Sequence, residues 1–241
     1  MNNTSNRYNE FAAEYAKRVT KREEAGIEQE QDGVTGPLLN LIGDVSNLNV
    51  LDAGCGEGYL ARILANRGAK VVGADIAPAL IKIALEKDPK RHITYLHADL
   101  SQPLPHYQQH FDLVASHLVL NDVHDYQGFL RSLATSLKPG GRLVLSMNNP
   151  YSYIVRNHLS NYFDSGKAVS YRGMAEQGVK VHFYQRTLTE YLDAGFSAGL
   201  QLQRLVDLPT LQSILDKPTD KLLPQGYQFP YFMLLSFQKP R

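Results

Sequence analysis

Between residues 48 and 149, short apolar runs alternate with stretches whose apolar residues recur every three or four positions. The runs are NVLDAG, KVVGADI, HITYLHAD, FDLVASH and RLVLSMN, and each is short enough for a buried strand. Between them, YLARILANRG, PALIKIALEKD and DYQGFLRSLATSLKPGG carry a helical period; the first ends at Gly68 and the last at a Pro-Gly-Gly stop. Strand–helix alternation at this pitch predicts right-handed crossovers and a parallel sheet with helices on both faces.

The flanks extend this frame. Tyr8, Phe11, Ala12, Tyr15 and Val19 share a helical spacing, which predicts an amphipathic N-terminal helix over residues 5–25. A polar, Gly-bearing stretch follows, and Pro37 then suits the first turn of a second helix with Leu38, Leu41, Ile42 and Val45 on one stripe. After residue 149 the rhythm breaks: residues 150–180 are rich in Tyr, Asn, Ser and Gly, lack a period, and read as an insertion. Thr187 and Glu190 form a capping-box pair for a further helix, with Gly195 as its stop. LQLQRLVDL and YFMLLSFQK then read as two strands, with a short helix opening at Pro209. With no long helix after that short one, the closing strand should run antiparallel to the rest. The expectation is one α/β domain over residues 1–241. Its Rossmann-like seven-stranded sheet is mostly parallel, with an antiparallel C-terminal strand and a small lid after the fifth strand.

Composition narrows the function. The chain has 241 residues, 43% apolar and 20% charged, as an ordinary globular domain does. Its 25 basic and 24 acidic residues leave a net charge of +1, so no surplus exists for neutralising many phosphates, and nucleic acid is not the favoured partner. Cys55 is the only cysteine, which excludes an intrachain disulfide and a Cys-rich metal site. No apolar run approaches the ~18–20 residues of a membrane span, and MNNTSNRYNEF lacks a signal-peptide layout, so a cytoplasmic location without a membrane partner is expected.

The candidate chemistry sits in VLDAGCGEGYLARIL, where a strand runs into Asp52, then Gly54, Gly56 and Gly58, then a helix. Glycines let the backbone turn sharply and approach a ligand where a Cβ would clash. Their spacing differs from the G-x-G-x-x-G that cradles a pyrophosphate, and Asp52 places an anion beside the turn, which suits a ligand bearing an ammonium group. Asp75 ends the second strand at the carboxyl edge of the sheet, where it can accept two hydrogen bonds from a diol or simply cap the next helix. Asp99 is either a second ligand contact or a turn residue. Cys55 reads better as a small residue wedged between turn glycines than as a nucleophile.

These segments resemble the class I S-adenosylmethionine-dependent methyltransferases, especially the small-molecule branch with the ubiquinone and menaquinone enzymes. The likeness is strongest over residues 48–148 and rests on LDAGCGEG, VVGADIAP, HADLSQPLP, FDLVASHLVLNDVHD and LKPGGRLVLS in the family's order. It implies S-adenosyl-L-methionine as cofactor. The loop with Asp52, Gly54, Cys55 and Gly56 would hold the methionine part and Asp75 the ribose, with Ile76 beside it. Asp99 would meet the adenine amino group and Leu100 the ring, while His117 and Tyr15 would touch the cofactor.

The implied reaction is methyl transfer to a small-molecule acceptor, with O- or N-methylation favoured. A non-methylating relative that assists a rearrangement, or a tRNA or RNA methyltransferase, are the alternatives. For a general base the candidates are His117, Asn121, where relatives often carry a His, and His124, which could equally be a surface or helix-capping residue. Tyr8, Tyr151, Tyr153 and His182 are candidate acceptor contacts, placed by the N-terminal helix, the insertion and the alternating VKVHFYQRT. No metal is expected, since the histidines show no H-E-x-x-H pairing. Asn148-Asn149-Pro150-Tyr151 resembles the tetrad of amino-methylases but follows the fifth strand rather than the fourth, so it reads as a strand-exit turn.

Overall fold

The structure is a computed structural model that describes residues 8–24, 33–90, 92–152, 161–166, 168–172, 180–209 and 229–241. Five strands alternate with helices in the expected order: β1 (Asn49–Ala53), α3 (Tyr59–Asn66), β2 (Lys70–Asp75), α4 (Pro78–Lys87), β3 (Thr94–His97), β4 (Phe111–His117), α5 (Tyr126–Ser136) and β5 (Leu137–Asn148). Before them stand α1 (Ala12–Glu24) and α2 (Thr35–Ile42); after them come β6 (Ala168–Arg172), β7 (Lys180–Tyr184), α6 (Leu188–Ser197), β8 (Gln201–Pro209) and β9 (Pro230–Gln238). One seven-stranded sheet runs in the order β3-β2-β1-β4-β5-β9-β8. The first five strands pair in parallel and β9 is antiparallel to both its neighbours, so β9 alone opposes the sheet. β6 and β7 form a separate antiparallel hairpin within the segment after β5.

Alternation along the strands splits the core in two. Leu51, Leu145, Met147 and Phe237 face α5 and α6, where Phe129, Leu133 and Tyr191 pack. Val50, Leu113, Val144 and Leu234 face Leu38, Leu39 and Ile42 of α2 and Leu60 and Leu64 of α3. Both sheet faces are thereby covered, which is why the parallel strands read as continuous apolar runs.

Three boundaries depart from expectation. The helix α5 ends at Ser136, not at the glycines: Leu137 already pairs with Phe111, and the Lys-Pro-Gly-Gly stretch is a bulge before regular pairing resumes at Arg142. The capping box is present, with Thr187 and Glu190 satisfying each other's backbone N–H, but Gly195 does not stop α6. The helix continues to Ser197, and Gly199 takes the left-handed turn at φ +79°. Gly195 is small for packing instead, because a Cβ there would stand 2.8 Å from Phe237 Cε1. The short helix expected at Pro209 falls mainly on residues outside those described.

Gly195→Ala should therefore cost about 1–3 kcal/mol in urea denaturation, because an inflexible ring must move. Gly199→Ala, with open space around it but a left-handed φ, should cost only about 1–2 kcal/mol.

Candidate active site

The carboxyl ends of β1, β2, β3 and β4 converge on a cleft that encloses about 740 Å³ of empty space with its open mouth included. Its floor is the turn after β1. Gly54 has φ +80°, and a Cβ there would stand 2.5 Å from Val119 Cγ2, so this turn packs under the β4 loop only as glycine. The N–H groups of Gly54 and Cys55 donate to Ala74 O at 2.8 and 3.0 Å, which ties the turn to β2. Asp75 completes the tie: Oδ2 accepts from Gly56 N–H at 2.8 Å and Oδ1 from Ala77 N–H at 2.9 Å. Burial pushes the Asp75 pKa up, and these backbone donors oppose that rise. Each carboxylate oxygen keeps a second lone pair for a ligand hydroxyl.

On one wall lie Ala98, Asp99, Leu100 and Ser101. Asp99 Oδ1 accepts from Ser101 N–H at 3.0 Å and from its hydroxyl at 2.7 Å, a local turn that fixes the carboxylate at the rim. The opposite wall is the exit of β4, from His117 to Val123. His117 Nδ1 lies 2.6 Å from Ser146 Oγ and Nε2 3.3 Å from Thr35 Oγ1, so two hydroxyls hold its ring. Leu118 follows with φ +58°, a costly conformation for a branched side chain. Its N–H is held by both Ser146 O and Ser146 Oγ.

The N-terminal helix roofs the cleft. Tyr8, Phe11 and Tyr15 are in mutual ring contact, and Tyr15 stands over Gly56, where a Cβ would lie 3.6 Å from its Cε1. Ala12 packs with Ala77 and Leu80 of the α4 end, Asn9 Oδ1 accepts from Ala79 N–H, and Lys87 Nζ donates to Thr20 Oγ1. Lys87 also meets the buried Glu57 of the glycine turn, which Arg62 shares. The roof and the floor are thus joined through one lysine.

Of the residues singled out from sequence, Tyr8, Tyr15, Gly54, Gly56, Asp75, Ile76, Asp99, Leu100 and His117 line the cleft together. Asp52 and Cys55 do not line it. Asp52 lies 1% exposed beneath the turn, with a carboxylate oxygen accepting from Ala61 N–H and Oδ2 without a hydrogen-bond partner. Burial, then the nearby Asp75, push its pKa up to about 7. Cys55 is buried, and burial with the two carboxylates raises its thiol well above the usual range, which makes it a poor nucleophile.

Asn121 is a clamp rather than a cleft residue, with Oδ1 on Asn148 N–H at 2.9 Å and Nδ2 near Tyr191 Oη at 3.3 Å. His124 is exposed; its ring contacts Tyr184 and its carbonyl accepts from Arg186. Tyr151 is 46% exposed, stacks on Tyr162 and stays outside the cleft lining. Tyr153 lies outside the described residues. The backbone of His182 pairs with Ser170 in the hairpin. Asn149 leaves β5 and binds Asp207 and the backbone of Tyr151 and Tyr231, the work of a strand-exit turn.

One cleft residue was passed over in the sequence. Asp122 lines the wall and its Oδ2 accepts the Tyr8 hydroxyl at 2.5 Å. Its neighbours Asn121 and His124 drew attention as base candidates, whereas the contact that marks Asp122 spans 114 positions and leaves no local trace.

Among the described residues lining the cleft there is no Lys or Arg, while three are Asp. Such a site disfavours the phosphates of a dinucleotide and suits a ligand with a diol and positive charge. The partnerless Asp52 Oδ2 and the side-chain-free Gly54 and Gly56 agree with that fit.

Residues 51–145 match the profile of a family described as a methyltransferase domain. With the cleft and sheet order, this identifies residues 51–145 as a methyltransferase domain on the fold of the class I S-adenosylmethionine-dependent enzymes. A demethylmenaquinone methyltransferase of Tropheryma whipplei is 37% identical over 106 residues, 44% of either chain. A tRNA 5-carboxymethoxyuridine methyltransferase of Escherichia coli is 32% identical over 121 residues, 48% of this chain and 46% of its own. The matched stretch thus spans under half of each of these relatives. A solved S-adenosylmethionine dependent methyltransferase from Mesorhizobium loti shares the fold at TM-score 0.65 and 24% identity, over 88% of this chain and 100% of that one. The methyltransferase core is therefore where likeness concentrates, and the N-terminal roof and hairpin lie outside the matched profile.

The carboxylate beneath the glycine turn gives a stability prediction. Asp52 has a folded pKa near 7 against 3.8 when free, so its protonation favours the fold. That contribution is complete below 3.8 and is lost as pH rises through about 7. Asp52→Asn should thus raise stability at pH 8 by on the order of 1–4 kcal/mol, and leave it nearly unchanged at pH 4, as read from thermal melts across that range.

Proposed function

We propose that this protein binds S-adenosyl-L-methionine in the cleft and transfers its methyl group to a small-molecule acceptor, at oxygen or nitrogen. The observation that carries this is the cleft's charge: three carboxylates and, among the described residues, no Lys or Arg around a glycine turn that would approach the ligand by its backbone.

Asp75 would accept both ribose hydroxyls while keeping its two backbone donors, and Asp99 would receive the adenine amino group with Leu100 against the ring. Asp52, held ionised by the arriving ammonium charge, would lie under the amino-acid part. Bound there, the cofactor supplies a methyl on a sulfonium, already activated toward attack. What the chain must add is alignment and the exclusion of water. Tyr15 over Gly56 places an aromatic ring by the glycine turn, where a sulfonium gains from a cation–π contact. The roof of α1 and the segment with the β6–β7 hairpin would act as lids, the second on the acceptor side, because it leaves the carboxyl end of β5.

A second reading, methylation of tRNA, is favoured by one likeness, that to the tRNA enzyme of Escherichia coli. A balance of 25 basic against 24 acidic residues weighs against it. Salt-dependent retention of tRNA with transfer of labelled methyl to it would favour that reading.

Calorimetric titration should show binding of S-adenosylmethionine and of its demethylated product, and no heat with NAD. Asp75→Ala should weaken both by about 10–100-fold, or ~1.4–2.8 kcal/mol. NAD binding without a response to S-adenosylmethionine would overturn the reading. With labelled cofactor and metabolite extracts, a product one methyl heavier separates transfer from an assisted rearrangement.

A further inference from the structure

The cleft's titratable groups have partners of different kinds. Asp75 spends its carboxylate on the backbone of the glycine turn and α4, and Asp99 on Ser101. His117 is held at both ring nitrogens by hydroxyls. Asp122 differs in kind, because it accepts from a side chain of the roof, the Tyr8 hydroxyl. It also sits in the loop whose Val119 presses on Gly54, beside Val123 and Phe129 on the cleft wall.

We propose that Asp122 takes the proton from an acidic hydroxyl of the acceptor, and that Tyr8 is a positioning residue that keeps this carboxylate ionised while the N-terminal helix covers the cleft. The inference rests on the methyl-transfer reading above. Asp122 accepts the proton as the acceptor's O–C bond forms and the C–S bond of the cofactor breaks, with sulfur keeping the electron pair. The sulfonium's positive charge leaves the site as that proton, which passes to water when the roof lifts.

The acceptor class follows from the match of acidities. A base ionising near neutrality is best suited to a proton in flight at operating pH. A phenol, at about 10, is within its reach as attack proceeds, whereas an aliphatic alcohol is not. The wall's Tyr8, Leu118, Val119, Val123 and Phe129 offer a flat ring apolar contact.

Burial raises the Asp122 pKa to about 7, and the Tyr8 hydrogen bond pulls it down against that rise. Other titratable groups around it are Tyr191 on α6, His117 on the same wall, and Asp75 and Asp99 across the cleft, while Tyr184 of β7 and Arg186 meet the nearby His124. None of these opposes burial at Asp122 as Tyr8 does. Removing the Tyr8 hydroxyl must therefore move Asp122's ionisation to higher pH.

The test uses the full chain with the demethylated cofactor bound. Carbon-13 NMR of carboxyl-labelled Asp should show a resonance titrating near neutrality that is missing in Asp122→Asn and shifted to higher pH in Tyr8→Phe; Asp52→Asn identifies the other high-lying carboxyl. With labelled S-adenosylmethionine and catechol as probe acceptor, Asp122→Asn should lower kcat at least ~100-fold, with cofactor affinity within about threefold. Tyr8→Phe should move the acid-side limb of the kcat profile, where the base ionises, to higher pH by the same amount as the NMR titration. An Asp122 that titrates in the ordinary carboxylate range, a titration or limb unmoved by Tyr8→Phe, or no transfer to catechol would overturn the inference while leaving cofactor binding in place. Failure of the unsubstituted protein to bind S-adenosylmethionine would instead remove the methyl-transfer reading, and this inference with it.

Discussion

The site depends on one carboxylate reaching across a gap between strands. Asp75, at the end of β2, accepts from the N–H of Gly56 in the turn after β1 and from that of Ala77 at the start of α4. Without it, the glycine turn would be tied to β2 only by the two bonds to Ala74 O. A turn with three positive-φ glycines has many conformations to lose. The carboxylate selects one of them and at the same time faces the cleft. Structural anchor and cleft-lining carboxylate are the same group, so a substitution at Asp75 acts on both.

The parallel core was legible because its strands are covered on both faces and so appear as uninterrupted apolar runs; FDLVASH corresponds to β4 residue for residue. The capping box was legible because its partners are three residues apart. What escaped was decided at a distance. Gly195 resembles a helix stop, but the ring that requires a glycine there belongs to Phe237 on another element. The Pro-Gly-Gly stretch resembles a terminator of α5, yet pairing of Leu137 with Phe111 ends the helix sooner. The same holds in the cleft. The glycines, Asp75 and Asp99 announce themselves by position after strands, whereas the orientation of Asn121 away from the cleft and the contact of Asp122 with Tyr8 are products of tertiary packing.

Charge organises what the methyltransferase core contributes and what its surroundings add. The cleft's acids come from the ends of β2, β3 and the β4 loop, while the counter-charges Arg62 and Lys87 are drawn away to the buried Glu57 on the far side of the turn. Segregation of this kind keeps the cleft side of the turn negative and its far side neutralised. Because Lys87 also reaches Thr20, loosening of the roof is felt at the underside of the glycine turn.

The position of β9 carries a consequence for how the chain assembles. It is the last strand in sequence, yet it lies inside the sheet, with β5 on one side and β8 on the other. During synthesis β1 to β5 can pair and bury their helices first, while β8, already made, has no neighbour until residues 230–238 arrive. The emerging molecule therefore passes through a stage with the edge of β5 open and Met147, Leu145 and Leu143 short of their final cover. Sheet closure by the latest-made strand raises the separation between contacting residues and slows the final step. It also places the exposure to wrong pairing, with another copy's open edge, at the end of folding rather than at its start.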